Sequence, residues 1–189
     1  ERNMNIKDVI KLSATYLGRE NVVKYLEQNL SCDDENVLAT VDTLTRCANL
    51  VINELACSYV PMVRKQKVKA VGGKVYYTEL PERVLEIVGA YDLDGNFINY
   101  KVNAEYVETL YSEYVVEYAY MPPNFGLTDE IGYSEIKLPA RVIAYGTTAE
   151  FCLTEHAFDE SVLWHNRFTG ALSSILSPKN KTVKARRFI

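Results

Sequence analysis

The chain has 189 residues, 48% of them apolar and 24% charged, with a formal net charge of −4. That length suits one compact domain or one domain with an appended subdomain, and the apolar share supports a sizeable core, so a wholly disordered chain is excluded. The charge is unevenly placed: Lys179, Lys181, Lys184, Arg186 and Arg187 fall in 177–189 without an acid, so this tail carries +5 and residues 1–176 carry the balance, −9.

The spacing of Ile6, Val9, Ile10, Ala14 and Leu17 predicts a first helix over 6–17, with Asn5 as its cap and Gly18 as its stop. Val22, Val23, Leu26 and Leu30 predict a second over 20–30. A third and longer helix is expected over 34–59, with an apolar stripe of Val37, Val41, Leu44, Ala48, Val51, Ile52, Leu55 and Cys57, closed by Pro61. Three helices on short loops pack as antiparallel neighbours.

The period then changes. Residues 62–71 alternate, with Val63, Lys65, Lys67 and Lys69 on one face and Met62, Arg64, Gln66, Val68 and Ala70 on the other. Gly72-Gly73 separates them from 74–78, which reads as a hairpin. A second pair, 84–91 and 97–102, flanks the turn at 92–95, and a third, 106–110 and 114–120, flanks Tyr111-Ser112-Glu113. The middle of the chain therefore reads as an antiparallel sheet or barrel-like meander of five or six strands. Residues 122–137, with Pro122-Pro123, Gly126 and Gly132, read as an irregular loop. Leu138-Pro139 opens a helix rich in small residues over 141–155. A last helix starts at Asp159, with Val162, Leu163, Phe168, Leu172, Ile175 and Leu176 on its buried side. The expected class is α+β: a bundle of about five helices (1–61 and 138–176) with an inserted β region (62–121) and an extended basic tail (177–189).

Catalytic and metal signatures are weak. Asp92-Leu93-Asp94-Gly95-Asn96 has its glycine at the fourth position instead of the sixth that a calcium loop needs, and reads as a tight turn. Cys152 and His156 are spaced to share a helix face, but no orienting group or oxyanion site accompanies them, and His165 beside Trp164 adds nothing definite. Gly72-Gly73-Lys74 lacks the spacing of a phosphate loop. Cys32, Cys47, Cys57 and Cys152 form no C-x-x-C pair, which speaks for a reducing compartment and against zinc. The first ten residues mix charges with isolated apolar side chains, and no apolar run approaches the ~18 residues that span a bilayer. The expectation is a soluble protein, intracellular where it is made, with no catalytic residue, metal or cofactor.

Partner contacts are the alternative. The basic tail suits an acidic surface, a neighbouring copy or nucleic acid, and Lys65, Lys67 and Lys69 suit either phosphates or the blunting of an edge strand. The 14 tyrosines cluster around Tyr106, Tyr111, Tyr114, Tyr118 and Tyr120. Aromatic side chains with a polar tip suit partly wet interfaces, so Tyr114, Tyr118 and Tyr120 are expected to form a protein contact, such as one with a neighbouring subunit, along a sheet edge.

The stretch 138–153 (LPARVIAYGTTAEFCL), followed by 158–168 (FDESVLWHNRF), resembles the head-to-tail adaptor, or connector, proteins of tailed bacteriophages. These have an alanine-rich helix that begins near Leu-Pro and ends in an Ala-Glu-aromatic stretch. A short break and a helix with aromatic and Arg residues follow. The order of helices, β insertion, closing helices and tail is similar over the whole chain. The resemblance implies a structural virion protein of the neck, made in the host bacterial cytoplasm, forming a homo-oligomeric, dodecameric ring beneath the portal protein. Such a ring receives a tail or nozzle protein and continues a channel for passing DNA without sequence specificity. It further implies that Lys179, Lys181, Lys184, Arg186, Arg187 and Phe188 bind the portal. Two other classes stay open: another neck component, such as a head-completion or tail-completion protein, and a non-viral nucleic-acid-binding or regulatory module.

Overall fold

The computed structural model describes residues 3–28, 34–134 and 138–177. Among them are five α-helices and three small antiparallel sheets, a mixed α+β chain. It divides into two compact units: Glu1–Ala48 with Leu127–Ile189, and Asn49–Gly126.

The first unit opens with a three-residue strand, β1 (Asn3–Asn5), leading directly into α1 (Ile6–Tyr16). Asn5 caps α1 by accepting the Asp8 N–H through its side chain at 2.8 Å, the capping chemistry that its position predicts. Gly18 follows at φ +66°, in the left-handed region where glycine carries no Cβ penalty. α2 (Glu20–Gln28) and the first part of α3 (Glu35–Ser58) come next. After the second unit the chain returns through β8 (Glu130–Ser134), α4 (Ala140–Thr154) and α5 (Phe158–Leu176).

α4 is the central helix of this unit. It packs on both α1 and α5, and Val142, Ile143, Ala144, Thr147, Thr148, Ala149, Phe151 and Cys152 are all buried. Its small residues let α1 come close enough for the Ser13 hydroxyl to donate to the Ala144 carbonyl at 3.2 Å. The irregular loop expected over 122–137 contains β8, which pairs with β1 (Met4↔Ile131, Asn5↔Glu130) and buries Met4, Ile131 and Tyr133. On α5 the expected buried side is corrected. Phe168 and Leu172 are buried, but Val162, Leu163 and Leu176 are 61%, 53% and 46% exposed, and Ser161 takes a buried place instead.

In the second unit the strands form two three-stranded sheets. One has the order β2 (Met62–Lys69), β7 (Glu113–Tyr120), β4 (Val84–Tyr91); the other β3 (Lys74–Tyr76), β6 (Tyr106–Glu108), β5 (Lys101–Val102). None of the three expected hairpins pairs its own strands as a ladder. The Gly72-Gly73 turn, with φ +60° and +79°, closes one bridge, Val71↔Lys74, and passes the chain from β2 in one sheet to β3 in the other. The turn after β4 does the same, leaving only a Tyr91↔Phe97 bridge, and the strand expected over 97–102 shrinks to Lys101–Val102. β6 and β7 are likewise in different sheets. The two sheets share one core of Val75, Leu80, Ile87, Ala90, Ile98, Val107, Tyr114, Val116 and Tyr118. Passing between sheets at each turn buries that core on both sides without a long crossover. Asn49, on α3, holds the start and end of the unit together: its amide donates to the Phe125 carbonyl at 2.9 Å and accepts the Phe125 N–H at 2.7 Å. The boundary between units accordingly falls within α3 and not after it at 61.

Candidate functional site

β7 is the central strand of its sheet, and its alternation determines what each face can do. Tyr114, Val116 and Tyr118 point to the core, while Glu113, Val115 and Glu117 line the outer face. The β2 register places Lys65 opposite Glu117 and Lys69 opposite Glu113. Lys67 and Lys69 reach the Glu113 carboxylate at 3.4 and 3.5 Å, and Lys65 reaches Glu117 at 3.8 Å. The lysines hold the Glu113 carboxyl below its ordinary range, Lys67 contributing most. Tyr91 completes the row, its phenol donating to Glu117 at 2.7 Å and its ring lying 4.3 Å beneath the Lys65 ammonium. Two carboxylates thus offset most of the stripe's charge, which weakens the case for phosphate binding there. β2 has β7 on one side and no strand on the other among the described residues, so its lysines do lie on a sheet edge.

The core-facing side of the same strands holds a second polar cluster. The Tyr118 phenol donates to Glu82 at 2.7 Å, the Arg64 guanidinium also pairs with Glu82, and Arg64 lies over the Tyr120 ring at 5.5 Å. This corrects the contact expected along the tyrosines. Tyr114 and Tyr118 have no exposed surface and stand in a central strand, not on an edge; Tyr120 is half-buried beside Arg64. The exposed apolar side chains of this unit are spread over several places, Leu50, Leu93, Phe97 and Val102 among them, and three stand together. Val71 is 80% exposed and Leu110 fully so, and Tyr111 follows them at 46%. They are gathered at one tip, where Gly73 accepts the Thr109 N–H at 2.8 Å and Ser112 accepts the Ala70 N–H at 2.8 Å.

The two buried phenols differ in one respect that experiment can read. Tyr118 has Glu82, whereas the Tyr114 hydroxyl is buried without a hydrogen-bond partner. Tyr118→Phe removes one of the two partners of the Glu82 carboxylate, leaving Arg64, and is expected to cost about 1–3 kcal/mol in urea unfolding, while Tyr114→Phe is expected to be neutral or stabilising by up to about 2 kcal/mol. Equal losses would contradict the assignment.

Both phenols also favour the protonated state in the fold. Burial pushes Tyr114 from 10.0 up to about 12, and burial, followed by the bond to Glu82, raises Tyr118 as well. Below their unfolded value the stabilisation is fully present. Between that value and the folded one the unfolded chain loses protons that the folded chain keeps, so stability falls as pH rises. The urea midpoint of this unit is expected to hold up to about pH 9 and to drop above about pH 10. A midpoint that rises across the same interval would contradict it.

In the helical unit three rings from α1, α4 and α5 meet. Tyr16 lies 5.4 Å from Tyr145 and 5.1 Å from Trp164, Tyr145 lies 5.9 Å from Trp164, and the Arg167 guanidinium lies over Trp164 at 4.7 Å. All three rings are half-buried and close the joint between the helices. A second, more open group lies where α4 passes into α5: Leu153, Phe158, Val162 and Leu163 are 44%, 60%, 61% and 53% exposed.

The remaining sequence candidates resolve as structure. Asp92 accepts from the Asp94 and Asn96 N–H groups at 3.0 and 2.8 Å and from the Asn96 amide at 2.9 Å, so its carboxylate closes a turn and its pKa is lowered by those bonds. His156 does not share a helix face with Cys152: α4 ends at Thr154 and His156 takes φ +60° beyond it. Burial raises the Cys152 thiol, and raises Cys47 to about 11, the reverse of an activated nucleophile. Cys57, expected in the apolar stripe, is exposed. Among the described residues no cluster of His, Cys, Asp or Glu could hold a metal ion, and no helix is long and apolar enough to cross a membrane. Lys179, Lys181, Lys184, Arg186, Arg187 and Phe188 lie outside the described residues, as does Cys32. No protein-family model matches the chain, and no curated protein matches it in sequence.

Proposed function

We propose that this chain is a structural assembly protein, a head-to-tail adaptor of a tailed phage, that docks between the portal and the tail through its basic segment and its exposed apolar surfaces. The observation that carries this reading is that each unit leaves a group of large apolar side chains uncovered, apart from other exposed ones such as Leu38, Leu50, Leu93 and Phe97. In the helical unit these are Leu153, Phe158, Val162 and Leu163; in the β-rich unit they are Val71, Leu110 and Tyr111. Scattered exposed leucines need no explanation, but clusters of this kind suit contacts with other chains. The adaptor-like stretch over 138–168 and the arrangement of a β-rich unit inserted between helical segments support the same reading. In this account the subunits form a ring in the neck of the virion, the tail or nozzle protein binds one side, and the tail of residues 177–189 reaches the portal. DNA passes through without sequence-specific contact, and the acidic balance of residues 1–176 keeps it from adhering.

The nucleic-acid module loses one of its two supports, because Glu113 and Glu117 offset Lys65, Lys67 and Lys69. Deletion of 177–189 tests the adaptor reading directly. The shortened chain is expected to keep its circular dichroism spectrum and its urea midpoint and to lose co-sedimentation with portal rings. Undiminished co-sedimentation would overturn the role given to the tail.

A further inference from the structure

The hydrogen bonds around β2 show which of its backbone groups are left over. Ala70, which continues the β2 register opposite Ser112, donates its N–H to the Ser112 carbonyl at 2.8 Å. In an antiparallel ladder such hydrogen-bonded pairs alternate with pairs that exchange no bond. The even positions from Met62 to Val68 therefore bond to β7, and Val63, Lys65, Lys67 and Lys69 turn their N–H and C=O groups away from it. Val71, the next odd position, agrees: it exchanges bonds with Lys74 and not with β7. From Val63 to Lys69 no strand among the described residues takes the outward groups, and the Lys67 carbonyl accepts only from the neighbouring Gln66 side chain, at 3.3 Å.

The same positions carry the lysine stripe. Three ammonium groups stand there against the two carboxylates of Glu113 and Glu117, and the side chains of Lys65, Lys67 and Lys69 are 57%, 59% and 82% exposed. For a strand added to an edge, main-chain bonds supply the affinity and side chains decide which strand is admitted. A second copy is refused. Only outward-facing residues pair across the edge, so every antiparallel register that overlaps most of two β2 strands sets lysine opposite lysine, and like charges directly opposite destabilise a sheet. What the edge admits is a strand with acids at alternate positions. Each lysine then meets a carboxylate on its open side as well as on its β7 side, and Val63, 46% exposed, meets an apolar side chain.

We infer that the outer edge of β2 is a strand-addition site for an extended acidic segment of a partner protein. The segment runs antiparallel to β2, with carboxylates opposite Lys69, Lys67 and Lys65 and an apolar residue opposite Val63. The partial neutralisation that weakens phosphate binding at this stripe is no obstacle here, because the backbone holds the strand and the lysines only select it. The site stands or falls independently of the adaptor reading.

A blocked, fluorescent peptide Glu-Thr-Glu-Thr-Glu-Thr-Val, titrated into the full chain and read by anisotropy, tests it. The peptide is expected to bind at least about tenfold tighter than Lys-Thr-Lys-Thr-Lys-Thr-Val, since three cross-strand charge pairs change sign between them. N-methylation at the glutamates, whose N–H groups face β2, is expected to abolish binding. N-methylation at the threonines, whose N–H groups face solvent, is expected to leave it intact. Lys67→Pro removes an outward N–H that β7 does not use, so the circular dichroism spectrum is expected to hold while binding is lost. Lys67→Gln, which keeps that N–H, is expected to weaken binding only about threefold. No binding up to about 1 mM peptide, equal affinity for the two peptides, or equal damage from the two N-methylation patterns would each overturn the proposal. Self-association of the protein that Lys67→Pro removes would give the edge to a second copy and overturn it as well.

Discussion

Phe168→Ala is expected to destabilise the helical unit by about 3–5 kcal/mol, the range for removing a buried aromatic ring from a packed core. Phe168 is 2% exposed, and with Leu172 it supplies the large apolar side chains that α5 buries. α4, on which α5 packs, is buried at ten of its positions and is rich in alanine, glycine and threonine, so it has few long side chains that could move into the cavity. The midpoint of thermal unfolding is expected to fall by at least about 10 °C, given several degrees per kcal/mol for a unit of this size. Val162→Ala, six positions earlier on the same helix but 61% exposed, is expected to change stability by no more than about 0.5 kcal/mol. Comparable losses from both would mean that α5 buries a different face.

Gly73→Ala is expected to cost about 2–4 kcal/mol in the β-rich unit, against about 1 kcal/mol for Gly72→Ala. Both glycines have positive φ, so both substitutions carry the left-handed penalty. The difference is space. A Cβ at Gly72 meets nothing within 4 Å, whereas at Gly73 it would lie 2.3 Å from the Thr109 carbonyl oxygen. That atom is backbone and cannot rotate aside. It belongs to the residue whose N–H donates to Gly73, so relief of the clash opens the 2.8 Å hydrogen bond that ties the tip together. Urea unfolding of the two variants reads the difference directly. Equal costs would contradict the close approach of Gly73 to Thr109.

The helices were legible in the sequence because their signals are local. Asn5, Gly18 and Pro61 mark ends by capping chemistry, positive φ and the lost N–H, and each acts within a turn of its own position. The strands were legible as segments but not as partners. A glycine pair or an Asp-Gly turn shows where the chain reverses; it does not show that Lys74–Tyr76 will leave β2 and pair with β6. β1 and β8 escaped notice for a related reason, since strands of three and five residues give little periodicity and their pairing joins positions far apart in the chain. On α5 the adjacent Val162 and Leu163 read as a core face, but the packing surface of α4 selects Ser161, Phe168 and Leu172.

The same distinction governs the candidate site. The lysine stripe was visible as an alternation, and its edge position holds, but its neutralisation depends on a register with β7 that only tertiary pairing supplies. The tyrosines drew attention by number and by their polar tips. Tyr114 and Tyr118 nevertheless face inward, because alternation along a central strand with a shared core puts one whole face inside. The exposed tip at Val71, Leu110 and Tyr111 has no sequence signature, because it exists only where 70–74 and 109–112 are brought together.

The central claim, assembly on a ring partner, is most directly tested by the mass of the purified protein alone and after mixing with portal rings, measured by light scattering at moderate and high salt. The account predicts a discrete ring-sized complex that requires residues 177–189. A chain that ignores the portal and instead binds DNA with a steep salt dependence would contradict it.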